Sequence, residues 1–86
     1  MIHIELYGVP RLRAGMARLT VEGASVGQAL DALGRDCPAL AQNLREGKGL
    51  NPAYRLSLNG ERFVVDPSTP LAGGDTLLLL SADVGG

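Results

Sequence analysis

Gly73-Gly74-Asp75-Thr76-Leu77-Leu78-Leu79-Leu80 decides the fold. The paired glycines and the aspartate mark a turn, and the apolar run after them is too short for a globular helix and has the length of a strand. A strand that is apolar at nearly every position has neighbours on both sides, so this one belongs in the middle of a sheet. Side chains still alternate between faces along it, which sends two leucines toward the core and two away. The parity expected here turns Leu78 and Leu80 outward.

Working back from this strand, the preceding elements supply its neighbours. Tyr54-Arg55-Leu56-Ser57-Leu58 alternates apolar and polar, Asn59-Gly60 follows, and Glu61-Arg62-Phe63-Val64-Val65 returns. Asn-Gly tolerates positive φ at both turn positions, so the unit reads as an antiparallel hairpin. Asp66-Pro67 and Pro70 punctuate the loop that leads on to the glycine turn. At the start of the chain Ile2, Ile4 and Leu6 share one face of a strand from Ile2 to Tyr7, and Ala17 to Glu22 alternates again. Gly8-Val9-Pro10 separates the two, which reads as a hairpin with a long, partly basic loop carrying Arg11 and Arg13.

Between the hairpins lies the helical segment. Ser25 with Gln28 three residues later is a capping-box pattern, and Val26, Ala29, Leu30 and Leu33 form an apolar stripe at helical spacing. The helix is expected over 26–36, with Gly27 in its first turn costing about 1 kcal/mol relative to Ala. Pro38 stops it or starts another, and Leu40, Ala41 and Leu44 fit a short second helix. Residues 46–52 read as a loop that could fold over the open face of the sheet.

Strand, strand, helix, strand, strand, strand, with a right-handed crossover between the hairpins, gives a mixed five-stranded sheet with one main helix on one face. This is the α+β, β-grasp (ubiquitin-like) layout. A domain over 1–81 and a flexible tail over 82–86 are expected.

Composition narrows the function. Apolar residues make up 45% of the chain and the formal net charge is −1, so there is no electrostatic pull on nucleic acid. No apolar run approaches a membrane span, and the opening residues lack the layout of a secretory signal, so a cytoplasmic location is expected. Cys37 is the single cysteine, which excludes an internal disulfide. His3 is the single histidine, on the polar side of its strand, and reads as a solvated residue. Cys37 reads as a small packing residue. The carboxylates show no metal-site spacing, the arginines are dispersed, and Gly73-Gly74 lacks the Lys-Ser/Thr of a phosphate loop.

The remaining feature is Val84-Gly85-Gly86. Glycine has no Cβ, so such an arm can enter a narrow channel in another protein. Its α-carboxyl, with a pKa of about 3.5, is an anion at neutral pH and a poor electrophile until activated.

On the opening strand, the helix Ser25 to Leu33 running into Pro38, Leu58-Asn59-Gly60-Glu61, the segment Pro70 to Leu77 and the Gly85-Gly86 end, the chain resembles the ThiS/MoaD sulfur carriers, most of all the molybdopterin synthase small subunit. The resemblance spans essentially the whole chain. It implies that an E1-like adenylating enzyme activates Gly86 with MgATP. A sulfur donor protein then converts it to a thiocarboxylate. Sulfur is finally delivered in the active site of the molybdopterin synthase large subunit or an equivalent acceptor. The chain would be a cosubstrate rather than a self-sufficient catalyst, with no bound cofactor or metal. Members often reach their glycines through Pro-Pro or Pro-Ala, where this chain has Ser81-Ala82-Asp83-Val84. Sister carriers serving thiamine, cysteine or tRNA thiolation, and protein modifiers conjugated through Gly86, share the fold and the ending. Phe63, Leu78, Leu80 and Val84 are the expected partner interface, beside Gly85 and Gly86.

Overall fold

The structure, a computed structural model, describes residues 1–82. Five strands form its main sheet: β1 (Ile2–Leu6), β2 (Arg18–Val21), β5 (Tyr54–Leu58), β6 (Arg62–Phe63) and β7 (Thr76–Ser81). Their order across the sheet is β2-β1-β7-β5-β6. β7 therefore lies in the middle, parallel to β1 and antiparallel to β5, while the β1–β2 and β5–β6 pairs are antiparallel. The main helix α2 (Val26–Asp36) crosses between the two halves. This is the β-grasp fold.

The register brings Ile4 beside Leu77, and Leu79 between Leu6 and Leu56. These side chains are buried with Val26, Ala29, Leu30, Ala32 and Leu33 of α2. Each fully buried leucine or isoleucine contributes roughly 1.5–3 kcal/mol, so the double contact of β7 with β1 and β5 fixes the sheet. α2 starts as its sequence suggests: Ser25 Oγ accepts from the Gln28 N–H at 3.3 Å, and Gln28 Oε1 accepts from the Ala24 N–H at 2.8 Å. Gly27 has a packing reason. Its N–H donates to the Pro67 carbonyl at 2.8 Å, and a Cβ there would lie 3.1 Å from that oxygen. The helix gives up propensity so that the loop before β7 can lie against it.

Two stretches differ from their sequence reading. The chain between β1 and β2 is not simply a loop, because it contains a helix, α1 (Val9–Ala14). Pro10 in its first turn has the φ a helix needs, and Gly15 closes it in the left-handed region at φ 72°. The chain over 46–52 is not simply a loop either. Arg45–Glu46 (β3) and Gly49–Leu50 (β4) form a small hairpin, with Gly47 at φ 61° in its turn. Arg45 pins this hairpin to α2, reaching the Gly27 carbonyl and Asp31 Oδ1 at 3.3 and 2.6 Å. The hairpin is thus tied to the helix layer, and Gly49 to Pro52 line a cleft with Arg55 and Phe63. The short helix α3 (Pro38–Ala41) forms, with Leu40 and Leu44 buried. β6 is only two residues long, although Val64 beyond it still donates to the Leu56 carbonyl.

Candidate functional site

The site has two parts, the point where the chain leaves β7 and the sheet face without a helix. At the first, Ser81 is the last residue of the strand. Its Oγ accepts from the Val9 N–H at 3.0 Å, and the next residue, Ala82, donates its N–H to the Ala53 carbonyl at 2.7 Å. Gly8 permits the first contact. It has φ 63°, a conformation natural to glycine, and a Cβ on it would sit 2.8 Å from Ser81 Oγ. The chain therefore passes beyond Ala82 from a root fastened on two sides. Val84, Gly85 and Gly86, and the tail expected over 82–86 apart from Ala82, lie outside the described residues.

The second part is built by alternation. Leu77 and Leu79 are buried, while Leu78 and Leu80 stand half-buried on the opposite face. The register sets Leu78 between Glu5 and Ser57, sets Phe63 on the far side of Ser57, and sets Arg55 opposite Leu80. Phe63 is 60% exposed. Tyr7 follows β1 on the same face, since its hydroxyl donates to Glu5 Oε1 at 2.5 Å. That bond holds the neutral phenol, and with partial desolvation it raises the Tyr7 pKa above its ordinary value. Two arginines lie over the aromatic rings, Arg11 5.4 Å from the Tyr7 centroid and Arg55 5.8 Å from that of Phe63. The face sets Leu78 and Leu80 among Glu5, Ser57 and the two stacked arginines. Sequence reasoning gave Tyr7, Arg11 and Arg55 no site role, although Tyr7 closed the strand read over Ile2 to Tyr7, at the parity of His3 and Glu5.

Other candidate groups stand apart. His3 is exposed on β1. Cys37 is buried, with its Sγ 4.0 Å from Met16 Sδ, and desolvation, with a smaller effect of Asp36, pushes its thiol pKa up, away from the reactive thiolate. Among the described residues no three His, Cys, Asp or Glu side chains gather as metal ligands, and no helix is long and apolar enough to cross a membrane.

With this geometry established, the chain can be set beside known proteins. No protein-family model matches it, and no curated protein does. Solved structures do. SAMP1 from Haloferax volcanii is 31% identical and superposes with a TM-score of 0.78, over 99% of this chain and 98% of that one. The chain belongs to the ubiquitin-like sulfur carriers of the ThiS/MoaD type. Two further members of this carrier group share the fold at lower identity. CysO in the Amycolatopsis orientalis BexX/CysO complex is 20% identical, with a TM-score of 0.85 over the whole of both chains. The Helicobacter pylori complex of subunits 1 and 2 of molybdopterin-converting factor contains a chain 19% identical, with a TM-score of 0.67 over 99% of this chain and 97% of that one.

Proposed function

We propose that this carrier works through Gly86 as a terminal carboxyl, and that the fastened root of its tail is what makes the work possible. The carboxylate oxygen attacks the α-phosphorus of ATP in an E1-like adenylating enzyme, giving an acyl-adenylate and pyrophosphate. A sulfur donor protein's persulfide displaces AMP to give an acyl disulfide, and a second thiol then attacks the donor's sulfur, releasing the Gly86 thiocarboxylate and leaving the donor oxidised as a disulfide. In an acceptor's active site that sulfur attacks the substrate, and hydrolysis returns the carboxylate. Every bond is made or broken in another protein's site, so the chain is a cosubstrate. Its own residues position: Val9 and Ala53 hold Ser81 and Ala82, and Phe63, Leu78 and Leu80 dock the partner.

The observation that carries this reading is the continuity of β7. One strand packs the core with Leu77 and Leu79, offers Leu78 and Leu80 outward, and leads directly to the tail root. A partner seated on the face therefore meets Ser81 and Ala82 at a fixed place. The proposed destination is the large subunit of molybdopterin synthase, and the place of action the cytoplasm. The test incubates the chain with the adenylating enzyme of its own cell, MgATP and a sulfur donor. Intact-mass analysis is expected to show one oxygen exchanged for sulfur at Gly86. Unmodified chain under conditions that charge a control carrier would overturn the reading.

A second reading has an observation of its own. A Methanosarcina acetivorans structure of the same fold, 23% identical, and a Haloferax volcanii one, 30% identical, are both named small archaeal modifier protein 1. The same adenylate could pass Gly86 to lysines of other proteins. Conjugates that vanish on deletion of Gly86 would favour it.

A further inference from the structure

The sheet face is not the molecule's one exposed apolar surface. Leu12 is 80% exposed, and Val9 is 42% exposed. They lie three residues apart on α1 and so share a side of it, while Pro10 is buried. Arg11 and Arg13 flank Leu12, and α1 contains no acidic residue. Arg11 is already engaged, its Nε donating to the Leu6 carbonyl at 2.9 Å and its guanidinium over Tyr7. Arg13 instead lines a cleft together with Val9, Ala53 and Ser81, the residues that fasten the tail root.

This arrangement constrains what can approach. Ser81 and Ala82, the last described residues, are held between Val9 and Ala53, Ser81 bonded to the one and Ala82 to the other. A channel narrow enough to select a glycine arm has its rim close around that arm. Such a rim cannot come up to Ala82 without meeting α1 on one side.

We propose that α1 is a collar contact for the mouth of the adenylating enzyme's tail channel, with Leu12 and Val9 seated on an apolar rim residue and Arg13 paired with a rim carboxylate. The proposal rests on the carrier reading above and adds to it a surface separate from the sheet face. Charge decides the chemistry of the occupant. A helix with cations and no carboxylate repels a basic rim and attracts an acidic one, and leucine at such exposure is stabilised by contact with an apolar side chain.

The experiment measures ATP–pyrophosphate exchange by the adenylating enzyme of the same cell, with the full-length chain as variable substrate. Leu12→Glu and Arg13→Glu are compared with the parent and with Lys48→Glu, the same charge reversal on the exposed tip of the β3–β4 hairpin. Folding is checked by melting temperature. The expected result is a KM for the chain raised about tenfold or more in both α1 variants, kcat within about twofold, and Lys48→Glu like the parent. Parent-like KM in either folded α1 variant overturns the proposal. Exchange absent even with the parent overturns the carrier reading, and the proposal with it. Sedimentation supplies the remaining outcome: self-association of the parent that Leu12→Glu abolishes would make the occupant a second copy of this chain, and the proposal would again fall.

Discussion

Ser81 caps a helix that begins 72 residues earlier in the chain, through its hydrogen bond with the Val9 N–H. Gly8 is what lets the two approach, because a Cβ there would lie 2.8 Å from the Ser81 hydroxyl oxygen. Gly8→Ala forces a side chain into the left-handed region and onto the Ser81 hydroxyl. The expected cost is about 1–3 kcal/mol in urea denaturation. Ser81→Ala removes only the acceptor, where water can substitute, and is expected to cost about 0.5–1 kcal/mol. Equal effects of the two would show that the close approach is not what matters.

Leu80→Glu is expected to fold normally, since its side chain is only half-buried on the face opposite the helices. Binding to the isolated adenylating enzyme, measured by calorimetry, should weaken about 10- to 100-fold, the worth of one buried leucine. Parental affinity with an unchanged circular dichroism spectrum would move the interface off this face.

Gly85→Val places a β-branched residue in the arm, widening it and restricting its backbone. Charging at Gly86 should be lost in the mass assay while the melting temperature stays within about 1 °C of the parent. A large drop in melting temperature would mean that this residue is packed.

Asp75 gives a pH dependence with a definite sign. Its carboxylate accepts the Ala72 N–H at 2.8 Å and the Asn59 amide at 3.1 Å, and these bonds hold its pKa below the ordinary value of 3.8. A carboxylate lowered by folding stabilises the folded state fully above that ordinary value, and the contribution is lost as pH falls through the folded pKa. Asp66, lowered by the backbone and hydroxyl of Ser68, acts in the same direction. Asp75→Asn is therefore expected to flatten the fall of stability with acid below pH 3.8, followed by chemical denaturation at stepped pH. An unchanged slope would show that these hydrogen bonds persist when the carboxyl is protonated.

The sheet was legible because its signals are local and redundant. Leu77 to Leu80 announces a central strand by being apolar throughout, Asn59-Gly60 fixes a hairpin, and Ser25 with Gln28 fixes the start of α2. Short elements were not legible. α1 has too few residues for a helical period, and its arginines suggest a loop; only Pro10 and Gly15, at its two ends, mark it. The 45–50 hairpin has only two cross-strand pairs, Arg45 with Leu50 and Glu46 with Gly49, too few for an alternation to show, so Gly47 was its one strong signal. The site divides in the same way. The outward leucines follow from strand parity, whereas the bond from Val9 to Ser81 joins residues with no sequence relation, and Gly8 looks like a simple breaker until Ser81 is placed beside it.

The central position of β7 bears on how the molecule is made. A ribosome delivers β1 and β5 before β7, and neither has its central sheet partner until that last strand has emerged. The parallel pairing of β1 with β7 spans nearly the whole chain, the kind of distant contact that slows folding and leaves the early strands waiting. Completion of the domain and arrival of the tail root thus coincide. A nascent or truncated chain that lacks β7 therefore has neither a closed sheet nor a fastened root.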